Sequence, residues 1–155
     1  MKIVSPRGFT LIEVLIVLAV VGIMAAIATP GYSTFMAQRR LNGAARQVMT
    51  DMLLARQQAV SQNHEFKVFF SGNGYEYTIL SDSDNDGTAD TGETTVVKNI
   101  QTDYYDVTFS ALADPVFYPR GTADTTTVTL TSAKTGGVKY VKAALTGRVK
   151  IDDFP

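Results

Sequence analysis

The chain of 155 residues has no cysteine and no tryptophan, and it has one histidine. Without cysteine there is no disulfide, no zinc–thiolate site and no thiol nucleophile. With His64 alone, a histidine-based triad has one candidate member, and a multi-histidine metal site is impossible. Neither sign of charge dominates: 14 Lys and Arg stand against 15 Asp and Glu, a formal net charge of −1. The global basic field of an obligate nucleic-acid binder is therefore missing. Together these absences disfavour an ordinary cytosolic enzyme. The length suits one domain plus an appendage. Hydrophobic residues make up 45% of the chain, but they are unevenly placed.

Residues 9–28 read FTLIEVLIVLAVVGIMAAIA. Twenty helical residues span roughly 30 Å, the thickness of a bilayer core. One carboxylate, Glu13, interrupts the run, and a charge at that depth is costly unless paired, so it reads as functional. A short leader, MKIVSPRG, precedes the block and carries Lys2 and Arg7. A secretory signal is the alternative, with the MAAIATP stretch imitating a cleavage site. The run is long, however, and an amphipathic pattern resumes directly after it. Pro30-Gly31 punctuates the two, and proline predicts a bend there. Charge leaves the orientation open, since Arg39, Arg40 and Arg46 lie beyond the run.

From Tyr32 to Gln62 the period stays helical: Leu41, Ala44, Ala45, Val48, Met52, Ala55 and Ala59 recur three or four apart. Such a stripe packs against its own domain. Residues 9–62 would make one helix about 80 Å long. After Asn63 the pattern becomes that of strands: 66–70 and 75–79 around a Gly-rich turn, then 94–100, 105–109, 115–118, 126–131, 138–143 and 147–151. One long helix followed by strands implies an α+β fold with antiparallel sheet packed on the helix.

RGFTLIEVLIVLAVVGIMAAIATPGY resembles the N-terminus of type IV pilins and pseudopilins. The resemblance implies cleavage by a prepilin peptidase after Gly8, N-methylation of the new first residue Phe9, an assembly role for Glu13, and a helix bend at Pro30. Its domains would be a leader (1–8), a transmembrane or filament-core half-helix (9–29), an amphipathic half-helix (30–62) and an extracytoplasmic β domain (63–155). Cleavage creates an α-amino cation at Phe9. A neighbouring subunit's Glu13 can pair with it in an apolar filament core and so favour one axial register. The segment order, with F-Y-P-R-G at 117–121 and L-T-G-R-V-K-I at 145–151, resembles the GspH/FimT/FimU minor pilins and pseudopilins. That implies an inner-membrane protein with a periplasmic β domain. It would be handled by an assembly platform and built with other pilin subunits into a type II secretion pseudopilus or a type IV pilus. Major pilins often carry a disulfide, which this chain cannot form.

Residues 82–93 read DSDNDGTADTGE, placing Asp82, Asp84, Asp86, Gly87, Asp90 and Glu93 at positions 1, 3, 5, 6, 9 and 12 of a calcium loop. Thr88 can add a carbonyl oxygen and Glu93 can close the shell. The flanks are strands, which excludes a helix-loop-helix sensor. The expectation is a Ca2+-clamped loop of weak affinity, with a solvated acidic loop full of Asx turns as the alternative.

Between Lys134 and Lys150 there are five cations and no acid. Lys139, Lys142, Arg148 and Lys150 are candidate phosphate contacts, and some FimT-like minor pilins are linked to DNA uptake, which makes DNA a candidate partner. The alternative is a set of edge-strand lysines that block aggregation, diluted by Asp152 and Asp153. A membrane-tethered hydrolase would need His64, and the spacing implies no nucleophile beside it.

Overall fold

The computed structural model describes residues 8–154, apart from the side chains at 28–30. Residues 1–7, which belong to the expected leader 1–8, lie outside that range. The chain divides into two compact units, Met1–Met36 and Ala37–Pro155.

In the first unit, Gly8 to Thr10 lead into α1 (Leu11–Gln62). Thr10 is the start signal: its Oγ1 accepts from the Glu13 backbone N–H at 3.3 Å. This is half of a Thr-x-x-Glu capping box. From Leu11 to Ile27 the large apolar side chains are all exposed, so this half of α1 is apolar around its surface. Pro30, where the sequence predicts a bend, falls within α1, and its side chain is outside the described residues.

The second unit contains two four-stranded antiparallel sheets. Its strands are β1 (Glu65–Phe70), β2 (Glu76–Asp82), β3 (Thr94–Asn99), β4 (Val107–Ala111), β5 (Val116–Phe117), β6 (Thr126–Ser132), β7 (Val138–Ala143) and β8 (Val149–Asp152). The sheet orders are β3-β2-β1-β5 and β4-β6-β7-β8. The seven stripe residues of α1, Leu41 to Ala59, are at most 1% exposed. They form one core with Phe66, Val68, Tyr77 and Ile79 of the first sheet and Val107, Phe109, Val128, Leu130 and Val141 of the second. Small residues bring the helix close: a Cβ on Gly43 would lie 2.6 Å from the Tyr104 ring.

Some strands differ from expectation. Ile100 leaves the sheet for a 3-10 turn, because Asn99 Oδ1 accepts from the Gln101 N–H at 2.8 Å and caps it. β4 starts at Val107 rather than 105, β5 is only two residues long, and Gly147 and Arg148 precede β8 (Val149–Asp152) rather than opening it.

Three polar ties lock the helix to the sheets. Arg40 grips Asp106 in bidentate fashion at 2.5 and 3.0 Å, lies over the Tyr105 ring, and holds the Asp106 carboxyl below the usual range. The Tyr77 hydroxyl donates to buried Asp51 at 2.5 Å, and burial together with that carboxylate pushes the phenol upward. Arg56 donates from Nε to the Gly121 carbonyl at 2.8 Å and from Nη2 to that of Thr146 at 3.4 Å. It thereby joins the F-Y-P-R-G and L-T-G-R turns on one side chain.

Candidate functional site

The N-terminal candidates lie together. Phe9 is 82% exposed and shares one shallow groove with Glu13, Val14, Val17 and Leu18. Gly8 is exposed, and among the described residues nothing lies within 4 Å of a Cβ placed on it. The Glu13 carboxylate is exposed on an otherwise apolar surface. In an apolar assembly that surface would be buried, and the lone carboxylate would then need a cation.

The acidic loop follows β2 and is built on its last residue. Asp82 is fully buried and accepts from the backbone N–H of Asp86 at 3.2 Å and of Gly87 at 2.8 Å. Asp84 accepts from the Asp86 N–H at 3.3 Å. Asp86 Oδ1 takes both the N–H and the hydroxyl of Thr88 at 2.7 Å. Gly87 turns the chain at φ 77°, a conformation that favours glycine. The result places carboxylate oxygens of Asp82, Asp84 and Asp86 within 4.8 Å of one another. Loss of solvent, with Asp86 and Glu93 nearby, raises the Asp84 carboxyl, whereas the Thr88 donors lower Asp86.

Asp90 and Glu93 are not drawn into that triad. Glu93 instead accepts from the Ser83 N–H at 2.6 Å and the Asp90 N–H at 3.1 Å, bonds that lower its carboxyl and tie the two ends of the loop. One participant was invisible in the loop's own residues. Lys67 on β1 donates to the Gly87 carbonyl at 3.1 Å and supplies positive charge beside Asp86.

The basic stretch is not one patch. Val141, Ala143 and Val149 are buried, so by strand alternation Lys139 shares their face while Lys142 and Lys150 point the other way. Lys142 and Lys150 are cross-strand partners, and both bridge to Asp152, at 3.4 and 2.8 Å. They hold its carboxyl down at about 2. Lys139 pairs with Asp153. Of the four candidate phosphate contacts, Lys139, Lys142 and Lys150 are therefore neutralised by partners two and three residues past the run, and Arg148 is exposed nearby. The DNA-binding reading gains no support from this arrangement.

His64 Nε2 lies 2.7 Å from Ser81 Oγ, across the first hairpin, and its ring stacks on Phe66. Sequence spacing did not reveal Ser81. Among the described residues no carboxylate bonds the other ring nitrogen, so the orienting third member of a triad is missing.

A long N-terminal helix packed through its second half on antiparallel sheets, with a lone carboxylate in its apolar first turns, defines a pilin-like protein. Solved structures share that fold. The minor pseudopilin EpsH from the type 2 secretion system of Vibrio cholerae superposes with a TM-score of 0.59 at 13% identity, covering 74% of this chain and 97% of that one. The type IV minor pilin FimU of Pseudomonas aeruginosa gives 0.59 at 18%, covering 76% and 92%. Fimbrial protein EcpC of Eikenella corrodens is 50% identical over 38 residues, 24% of this chain and 25% of that protein. The match thus spans about a quarter of the length of such curated relatives. Residues 5–29 match the prokaryotic N-terminal methylation motif. Residues 44–147, two thirds of the chain, match the family described as type II transport protein GspH, and the chain belongs to that family.

Proposed function

We propose that this protein is a minor subunit of a type II secretion pseudopilus or a type IV pilus. It would be made with a leader, cut after Gly8 by a prepilin peptidase, methylated at Phe9, and held in the inner membrane by the 9–29 segment. The 63–155 domain would be periplasmic. From there an assembly platform would move the subunit into the filament among other pilin subunits. The observation that carries this reading is the conjunction, in one chain, of the methylation motif at 5–29 with the GspH match at 44–147. Gly8→Ala tests it. The variant is expected to keep its leader and to be absent from sheared filaments. Recovery of the uncut variant in filaments at the wild-type level would contradict the proposal.

We also propose that the 82–93 loop binds Ca2+. Asp82, Asp84 and Asp86 already converge their oxygens, which is the donor chemistry a hard cation takes. Gly87 provides the turn, and Asp90, Glu93 and the Thr88 carbonyl stand within the same loop. The weak affinity of extracellular sites, about 10⁻⁴–10⁻³ M, suffices outside the cytoplasm. A hundredfold excess over Kd would stabilise the fold by about 2.7 kcal/mol. The 37–155 unit is therefore expected to melt several degrees higher in 10 mM CaCl2, and Asp84→Asn/Asp86→Asn to lose the shift. An unchanged Tm in calcium would refute the site.

A further inference from the structure

We propose that the free edge of β3 receives an extended segment from a neighbouring subunit of a different kind, which adds a fifth strand to the first sheet. This rests on the filament reading above. Two sheets have four edges, and three of them are closed or blunted. β5 is two residues long, and its backbone is occupied by Asp124 and the Phe117–Ala123 bridge. On β4 the outward Phe109 N–H donates to the Gly74 carbonyl at 2.7 Å, so the turn of the first hairpin covers that edge. β8 has four residues, and its outward side chains are the ion-paired Lys150 and Asp152.

Among the described residues β3 is the least protected edge, its one charged side chain, Lys98, standing near its end. It is six residues long, TTVVKN, and Thr94 to Val97 are exposed on both faces of the sheet. The Ile100 N–H donates to Tyr75 on the β2 side. Alternation then turns the N–H groups of Lys98, Val96 and Thr94 toward β2 and those of Thr95, Val97 and Asn99 outward. A long, unpaired, partly apolar edge is a template for strand addition.

The surroundings specify the guest. Thr94 and Val96 line a groove of about 140 Å³ with Gln58, Gln62, Phe66 and Ile79. A guest strand beside β3 would close it with every second side chain, so alternate apolar residues fit. On the other face Val97 is 64% exposed and offers a second apolar contact. Charge sets the ends. The Thr94 end adjoins a loop of five carboxylates that Lys67 reaches, and Lys98 stands at the opposite end. The guest is thus an extended segment with Lys or Arg beside Thr94 and Asp or Glu beside Lys98.

The full chain carrying a photo-crosslinking phenylalanine analogue at position 95 is irradiated within sheared filaments, and the adduct peptides are sequenced. The expected product joins position 95 to an alternating, cation-bearing segment of another filament subunit. Val97→Pro removes one outward donor while leaving the β2 ladder, and should reduce the adduct to background. If the proline variant melts early, Val97→Lys replaces it, since this side chain points to solvent. Four outcomes would overturn the inference in a chain that does reach the filament: no adduct, an adduct within the chain, one to a second copy, or one that survives both substitutions. A chain missing from the filaments would instead overturn the filament reading itself.

Discussion

Gly147→Ala is expected to lower the melting temperature of the 37–155 unit by roughly 10 °C or more. Two costs combine at this position. Gly147 sits at φ 73°, and a residue with a Cβ held there is strained by about 1–2 kcal/mol. The added Cβ would also overlap the Gly121 carbonyl oxygen and the Arg56 guanidinium. Neither neighbour can give way freely, because they are hydrogen-bonded to each other at 2.8 Å. Overpacking of this kind costs about 1–3 kcal/mol more. Against a total stability of about 5–15 kcal/mol the sum is large, and each kcal/mol moves Tm by several degrees in a domain of this size. Gly136→Ala is the internal control. Its φ is 65°, yet nothing lies within 4 Å of the new Cβ, so only the backbone part applies. Equal losses at both positions would show that the Arg56 junction contributes nothing.

Glu13→Gln is expected to abolish incorporation into filaments while leaving the leader-cleaved protein in the membrane. The choice of glutamine separates two roles. Thr10 and Glu13 are spaced as a capping box, and glutamine serves that box as well as glutamate does. If Glu13 only supported the start of α1, the variant would assemble. If its charge answers the α-amino cation of a neighbour's Phe9, removing it leaves that cation buried and unpaired. Breaking one partner of such a pair costs about 3–5 kcal/mol, which is about 10²–10⁴-fold in association. The apolar faces of Leu11 to Ile27 remain unchanged, so membrane anchoring is retained. Normal filaments from Glu13→Gln would contradict the charge-pairing account.

What was legible in the sequence was whatever repeats locally. The Leu41–Ala59 stripe follows the helical period and is wholly buried. Most strands fell where Thr, Val and aromatic residues cluster between Gly, Asn and Asp. The order of strands in space was not legible, because β5 joins β1 through the pairs Phe66–Phe117 and Lys67–Val116, far apart in sequence, and no local signal announces it. The long-range ties, Arg40 to Asp106, Arg56 to Gly121 and Lys67 to Gly87, were hidden for the same reason. Within the acidic loop, spacing anticipated the convergence of Asp82, Asp84 and Asp86. It did not anticipate that Glu93 would be spent on the backbone of Ser83 and Asp90. In the basic run the sequence showed that Asp152 and Asp153 dilute the charge, but not which lysine each of them meets. A strand sends neighbours to opposite faces, so Lys139 parted from Lys142 and Lys150, and Asp152 and Asp153 then supplied each with a partner.

The central claim, a processed subunit inside a filament, is tested most directly by the mass and N-terminal sequence of this chain in sheared, purified filaments. The account predicts a chain that begins at Phe9 with an N-methylated amine and co-purifies with the other pilin subunits. A chain found only in the membrane fraction, with residues 1–8 still attached, would contradict it.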